Sequence, residues 1–323
     1  MSAIIGLDFG GCNTEIYVKG KGIVLREPSV AAVDPDGRVV AVGTEALLIR
    51  GRTPGSVTIR RPVRDSVISD FNLTAEMLDR FIELAAPRGR KRVYAALKCG
   101  IGGENRELIR NALDDCRVSR IEFIDSPLAS LRGSGYDSED GILLCDIGGG
   151  SVECSYIRDG DILRTETYFG GGRDADKTIC AYLRRRYGLA ATKINAQAAK
   201  HKLDLTTDNW PYEVTIAGLD TSTGMPRRLA ISSDELFNCA APQIKGAADC
   251  IKAVRSNLPR YAGKAAEVDR VILTGGGAML SGIAEYIADE CSDGDAPLEV
   301  ITAEEPLDCT VRGLGLMIEE TKN

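Results

Sequence analysis

The sequence predicts a layered α/β protein made of two related halves, and three observations carry that prediction. An apolar run, then Asp, then a glycine turn occurs twice, as Ile4-Ile5-Gly6-Leu7-Asp8-Phe9-Gly10-Gly11 and as Ile142-Leu143-Leu144-Cys145-Asp146-Ile147-Gly148-Gly149-Gly150. Each copy is followed by a second run with strand character, over 14–19 and 152–157. Helical spacing then alternates with strand-like runs along both halves, which is the pattern of layered α/β folds.

The elements follow in order. Strand-like residues dominate 22–42, punctuated by Pro28 and by the turn Asp34-Pro35-Asp36-Gly37. Over 178–187, Ile179, Tyr182, Leu183 and Arg186 mark one face of a helix, and Ile251 and Val254 do the same over 245–257. A third strand, Val271-Ile272-Leu273-Thr274, runs into Gly275-Gly276-Gly277. Leu280, Ile283, Ala284 and Ile287 then give a further helix. No long Pro/Gly/Ser linker separates the halves, so they are expected to pack around a cleft.

Composition narrows the function classes. A chain of 323 residues, 44% apolar and 27% charged, is an ordinary globular protein of about two domains. Its 47 acidic and 40 basic side chains leave a net charge of −7, which argues against a nucleic-acid partner. No apolar run approaches the length that spans a bilayer. Met1-Ser2-Ala3-Ile4-Ile5-Gly6 enters a strand at once, without the basic region of a signal peptide, so a cytoplasmic chain is expected. Ten scattered cysteines with no C-x-x-C spacing, and a single histidine, His201, give a zinc cluster little to work with. They read as core residues in a reducing compartment. Trp210, in Asp208-Asn209-Trp210-Pro211, reads as an anchor of a small subdomain.

A glycine turn after a strand lets backbone amides approach a phosphate closely. A carboxylate beside it, Asp8 or Asp146, suits hydrated Mg²⁺, which keeps most of its waters. One Gly-Gly pair alone is as readily a plain hairpin turn. Three such turns in order point to a nucleotide.

The motifs match a family. Asp8-Phe9-Gly10-Gly11-Cys12-Asn13-Thr14 resembles the first phosphate loop of the actin-like ATPases. The stretch from Val18 to Val30, then Gly51-Arg52-Thr53-Pro54-Gly55, Arg61-Pro62 and Asp65-Ser66-Val67-Ile68-Ser69-Asp70-Phe71, narrow the resemblance to the MreB family of bacterial actins. Asp146 to Ser151, Leu273 to Ala278, and Glu305-Pro306-Leu307-Asp308-Cys309 with Arg312-Gly313 agree, so nearly the whole chain is covered. The resemblance implies an actin-like (ribonuclease H-like) two-domain fold with ATP and Mg²⁺ in an interdomain cleft. It places domain I at 1–141 and domain II at 142–323, with small subdomains near 31–64 and 182–239 and a C-terminal helix packing back on domain I. Gly10, Gly11, Cys12 and Asn13 would form the first phosphate loop, and Gly148, Gly149, Gly150 and Ser151 the second. Gln197 and Lys200 would flank the adenosine, Gly275, Gly276, Gly277 and Ala278 would close over it, and Asp8 and Asp146 would hold the metal. Asp146 and Ser151, with the degenerate position Ser126, make up the implied catalytic set.

The departures from the family cluster at these positions. The glutamate that positions the attacking water is Ser126 here, a poor base and shorter in reach. Val152 lacks a hydroxyl, Gly11 and Cys12 stand for Thr and Ala, Gln197 for Glu, and Gly171-Gly172-Arg173 for Gly-Gly-Asp. Nucleotide binding with slow or absent hydrolysis is the expectation. The family's membrane loop has shrunk to Ala86-Pro87-Arg88-Gly89-Arg90-Lys91-Arg92, which reads either as a contact for anionic lipid or as a solvated basic loop. The leading expectation is a cell-shape filament subunit that joins copies of itself or another bacterial actin, with peripheral inner-membrane contact open. A non-polymerising partner of a typical MreB, and a non-filament ATPase of the same superfamily, stay as rivals.

Overall fold

The structure, a computed structural model, describes residues 3–49, 57–64, 67–206, 208–258, 260–261, 264–265, 268–292 and 298–321. The motif Gly51 to Gly55 and the pair Asp65-Ser66 lie outside the described residues. Contacts divide the chain into two units, residues 1–137 with 308–323, and residues 138–307.

Unit 1 grows from strand alternation. In β1 (Ala3–Phe9) the side chains of Ile5, Leu7 and Phe9 are buried on one face, while Ile4, Gly6 and Asp8 take the other. A tight turn leads antiparallel into β2 (Asn13–Val18), which pairs with β3 (Gly22–Pro28). The short strands β4 (Ala31–Val33), β5 (Val39–Val42) and β6 (Thr58–Arg60) make a separate sheet. With α1 (Gly43–Ile49) it encloses a small core of Val30, Ala32, Ala41 and Ala46. A two-strand ribbon follows, β7 (Val63–Arg64) and β8 (Val67–Ile68).

Asp70 then caps α2 (Phe71–Ala85), its carboxylate accepting from Leu73 N–H at 3.2 Å. Leu73, Met77, Leu78, Phe81 and Ile82 recur at helical spacing and seal one face of the main sheet. The chain continues through β9 (Lys91–Leu97), α3 (Gly103–Asp114), β10 (Val118–Asp125) and α4 (Ser126–Ser134), the last ended by Gly135 in the left-handed region. The main sheet has the order β10-β9-β1-β2-β3, with β10, β9 and β1 parallel.

Unit 2 repeats this plan. β11 (Ile142–Ile147), β12 (Val152–Arg158) and β13 (Asp161–Tyr168) form the antiparallel triplet. Then α5 (Gly172–Tyr187), β14 (Leu189–Ala190), α6 (Lys193–Lys200), β15 (Glu213–Asp220) and β16 (Pro226–Ser232) build a layer with its own three-strand sheet. Next comes the long α7 (Ser233–Ser256), with a capping box of Ser232 and Glu235. The sequence pattern shows only its second half, because Pro242 lies inside the helix and reads as a break. The ribbon β17 (Arg260–Tyr261) and β18 (Lys264–Ala265) precedes β19 (Arg270–Thr274), a 3₁₀ turn over Gly276–Met279, α8 (Ile283–Cys291) and β20 (Glu299–Thr302). The main sheet reads β13-β12-β11-β19-β20, the same sequence of antiparallel and parallel pairings as in unit 1.

The chain then returns to unit 1 in α9 (Cys309–Glu320), which packs with α4 over the second face of that sheet. Ile4, Tyr94 and Ala96 meet Ala129, Leu314 and Ile318 there. All ten cysteines are free, and seven are buried. Trp210 packs edge-on between Tyr212 and Phe237, centroids 5.7 and 5.9 Å away, and its indole N–H donates to Asp234. It is an anchor, as the sequence suggests.

Candidate functional site

In unit 1 the β1–β2 hairpin sets the first glycine loop. Gly10 N–H donates to Asn13 C=O at 3.0 Å, and a Cβ on Gly10 would stand 2.9 Å from that oxygen. Ser29 holds the loop from behind, its Oγ donating to Gly10 C=O at 2.6 Å and its N–H to Cys12 C=O at 2.8 Å. Arg61 Nη1 also donates to Cys12 C=O, at 3.4 Å. The carbonyl oxygens of residues 10, 12 and 13, which would repel an anion, are thus each taken by a donor.

Unit 2 builds its loop by the same device. Gly148 N–H donates to Ser151 C=O at 3.0 Å. Gly172 N–H donates to Gly148 C=O at 3.2 Å and Arg173 N–H to Gly149 C=O at 2.9 Å, so the N-terminus of α5 sits on the loop. The Arg173 side chain adds a bond from Nε to Gly149 C=O at 3.3 Å. A Cβ on Gly171 would lie 2.6 Å from Gly148 O, and only glycine fits that approach. Ser151 is buried.

Other expected residues gather around this loop. Lys200 on α6 donates through Nζ to Gly172 C=O and to the buried Asp176, both at 2.7 Å. Gln197 lies one turn earlier on α6 and is exposed. β19 runs parallel beside β11 with Thr274 opposite Asp146. Gly275 follows with φ +79°, and a Cβ there would stand 2.2 Å from Asp146 Oδ1. Gly277 is as close to Ile147, and Ala278 is buried. The structure therefore brings Asp146, Gly148 to Ser151, Lys200 and Gly275 to Ala278 together in unit 2, with Gly171 to Arg173 added. It brings Asp8 and Gly10 to Asn13 together in unit 1.

Ser126 opens α4 directly after β10, two strands from Asp8 in the sheet order and at the same end of the parallel strands. Its neighbour Asp125, the nearest acidic substitute, accepts from Arg106 Nη2 at 3.3 Å, and that ion pair holds the carboxylate toward α3.

Sequence reasoning missed a charged row beside Asp8. Glu15 stands opposite Asp8 on β2, and Arg26 stands opposite Glu15 on β3. Arg26 forms a two-pronged ion pair with Asp308, Nε to Oδ1 at 3.2 Å and Nη2 to Oδ2. Glu15 is only 3% exposed, and its Oε2 has no hydrogen-bond partner. Burial first, then the charges of Asp8 and Asp308, push its carboxyl up to about 8. A signal existed: Glu follows each motif Asp by seven positions, as Glu15 after Asp8 and Glu153 after Asp146, and Glu153 is also buried. Among the described residues, no group of three or more His, Cys, Asp or Glu is placed to hold a metal ion alone.

Comparison with known proteins adds to this geometry. The model of the family described as MreB/Mbl protein matches residues 2–323. The chain belongs to the MreB/Mbl family. The cell shape-determining protein Mbl of Bacillus subtilis is 33% identical over 323 residues, covering 98% of this chain and 95% of that one. Crystal structures of MreB5 of Spiroplasma citri bound to ADP and to AMPPNP each superpose with a TM-score of 0.86 at 25% identity, over 99% of this chain and 96% of theirs. The MamK double helical filament matches with a TM-score of 0.80 over all of both chains at 18% identity, a likeness of fold. The fold of this MreB/Mbl chain is therefore actin-like, as its motifs suggest. No helix among the described residues is long and apolar enough to cross a membrane.

Proposed function

We propose that this chain is a nucleotide-dependent cytoskeletal subunit that binds ATP with Mg²⁺, hydrolyses it slowly or not at all, and assembles into filaments that govern cell shape. The observation that carries the reading is the matched pair of glycine loops, in which the carbonyl oxygens of Gly10, Cys12 and Asn13 and of Gly148, Gly149 and Ser151 each already accept a hydrogen bond. The MreB5 structures with ADP and AMPPNP support the ligand class, and the name of the Bacillus relative supports the role in cell shape.

In this reading Gly10 to Asn13 and Gly148 to Ser151 are phosphate loops. Asp8 and Asp146 are carboxylates for hydrated Mg²⁺, whose chemistry is charge neutralisation on the phosphates. Lys200 and Gln197 flank the adenosine, with Gly275 to Ala278 closing over it. Arg173 is drawn to the loop by its bond to Gly149 C=O, which sets a guanidinium beside it, while Lys200 is paired with Asp176 and ties α6 to the start of α5. Segments 31–64 and 182–239 serve as the small subdomains, and the separate sheets β4–β6 and β14–β16 support that division.

Hydrolysis is weak in this reading because Ser126 is no base and Asp125 is held by Arg106. The test is Mg-ATP affinity and phosphate release for the unaltered chain beside Ser126→Glu, with pelleting to follow assembly. Tight binding with little release, raised roughly 100-fold by the glutamate, is the expected result. Ordinary turnover in the unaltered chain defeats the claim of impaired hydrolysis, and absence of ATP binding defeats the whole reading. Absence of pelleting, alone or with another bacterial actin, leaves a non-polymerising regulator.

Membrane contact in this reading falls to the exposed end of the basic loop. Lys91 is buried in β9 beside Glu83 at 3.4 Å, and Arg92 faces Glu122 at 3.8 Å. Arg88 and Arg90 remain exposed with Leu84 nearby on α2, an attraction of about 2 kcal/mol to anionic lipid. Co-sedimentation with anionic vesicles, lost in Arg88→Ala with Arg90→Ala, is the check.

A further inference from the structure

Glu15 is a buried carboxylate whose surroundings call for a cation. It is 3% exposed, and its Oε2 is buried with no hydrogen-bond donor in reach. A carboxylate removed from water is tolerated only when paired or bonded. Among the described residues, the charged groups that act on it are Asp8 on β1, Arg26 on β3 and Asp308 at the start of α9. Arg26 turns both Nε and Nη2 to Asp308 while its charge also acts on Glu15, and Glu15 Oε2 is left without a partner. With Glu15 ionised, these described groups are three carboxylates and one guanidinium, which together carry two negative charges. Register places Glu15 directly across from Asp8 in adjacent antiparallel strands, so the two side chains leave the same face of the sheet.

We propose that Glu15 joins Asp8 as a second carboxylate for the divalent cation in unit 1, so that this chain holds the ion there before any nucleotide binds. The proposal deepens the reading of Asp8 as a metal carboxylate and rests on it. Two carboxylates with waters for the remaining positions suit Mg²⁺, which dehydrates reluctantly and takes few protein ligands. The Arg26–Asp308 pair holds Asp308 out of the coordination and fixes the row from the far side.

The experiment uses the nucleotide-free full chain, titrated with Mn²⁺ while the unbound ion is counted by electron paramagnetic resonance. One site is expected on the unaltered protein, weakened about 10- to 100-fold in Glu15→Gln and in Asp8→Asn, and unchanged in the surface variant Asp36→Asn. Equal Mn²⁺ affinity in Glu15→Gln overturns the proposal and leaves a proton or buried water at Glu15. If that variant does not fold, the unaltered protein is treated with Fe²⁺ and ascorbate and its cuts are mapped by mass spectrometry. Cuts within 8–15 and beside 308 support the site, and cuts confined elsewhere overturn it. Binding of a fluorescent ATP analogue to the same samples separates the two readings. Mn²⁺ binding that depends on Glu15, without ATP binding, defeats the nucleotide reading alone; ATP binding without such Mn²⁺ binding defeats the cation site alone.

Discussion

Glu15 sets a pH dependence that a single variant isolates. Its carboxyl is raised from 4.5 to about 8, first by burial and then by Asp8 and Asp308. Between those values the folded chain keeps a proton that the unfolded chain has released. The stabilisation is therefore complete below about pH 4.5 and is lost as pH rises toward about 8, by up to about 1.4 kcal/mol per pH unit. In metal-free buffer, the urea midpoint of the unaltered protein should fall relative to that of Glu15→Gln from pH 5 to pH 8. Parallel midpoints across that range would show that Glu15 does not titrate there. Asp8 and Asp146 were legible in the sequence because a strand, an Asp and a glycine turn recur. Glu15 was not, since a charged residue in a strand ordinarily faces water, and only the row Asp8–Glu15–Arg26 capped by Asp308 shows where it points.

Among the elements, the α4–α9 pair is the tightest. A Cβ on Gly133 would stand 1.8 Å from Cys309 O, and one on Gly313 would stand 1.7 Å from Ala129 O. At these two glycines the helices approach backbone to backbone, so Gly313→Ala must push them apart. A loss of about 1–3 kcal/mol or more is expected, read as a lower thermal midpoint. An unchanged midpoint would mean the helices have room that these approaches deny. The contact at α5 has a different readout. Gly171→Ala drives a methyl into Gly148 O and Gly149 C, both 2.6 Å away, and lifts the N-terminus of α5 from the second loop. ATP affinity should fall about tenfold or more, the cost of misplacing a positioned contact, and Gly103→Ala, at a glycine with ordinary φ and nothing near, is the control for substitution itself. Equal losses of affinity in both variants would remove the α5 contact from the site. Helical spacing located α5 and α7 only in part, because Pro242 and the glycines at 170–172 hide the first turns of those helices.

For the whole molecule, net charge decides how readily copies meet. At −7 with an isoelectric point near 5.1, like copies repel at neutral pH. Screening shortens that repulsion to roughly 8 Å at physiological salt, from about 30 Å at 0.01 M. The critical concentration for assembly in Mg-ATP should therefore fall as salt rises between those limits, followed by light scattering. A critical concentration that rises with salt would instead place opposite charges across the contact between subunits.

The sequence by itself determined the two-fold plan. Each half opens with the same strand, turn and strand, and both main sheets repeat one order of antiparallel and parallel pairs. It also determined the family, through motifs spread over nearly the whole chain. These features rest on local patterns, namely periodicity, glycine turns and their order. The tertiary structure decided what those residues touch. It turned Arg173 back onto Gly149 C=O, tied Lys200 to Asp176 and Gly172, and held Asp125 with Arg106. It also brought Asp308 from the far end of the chain to Arg26, beside Glu15. Such pairings join residues distant in sequence, and their energy depends on burial and distance, which exist only once the sheets and helices have packed.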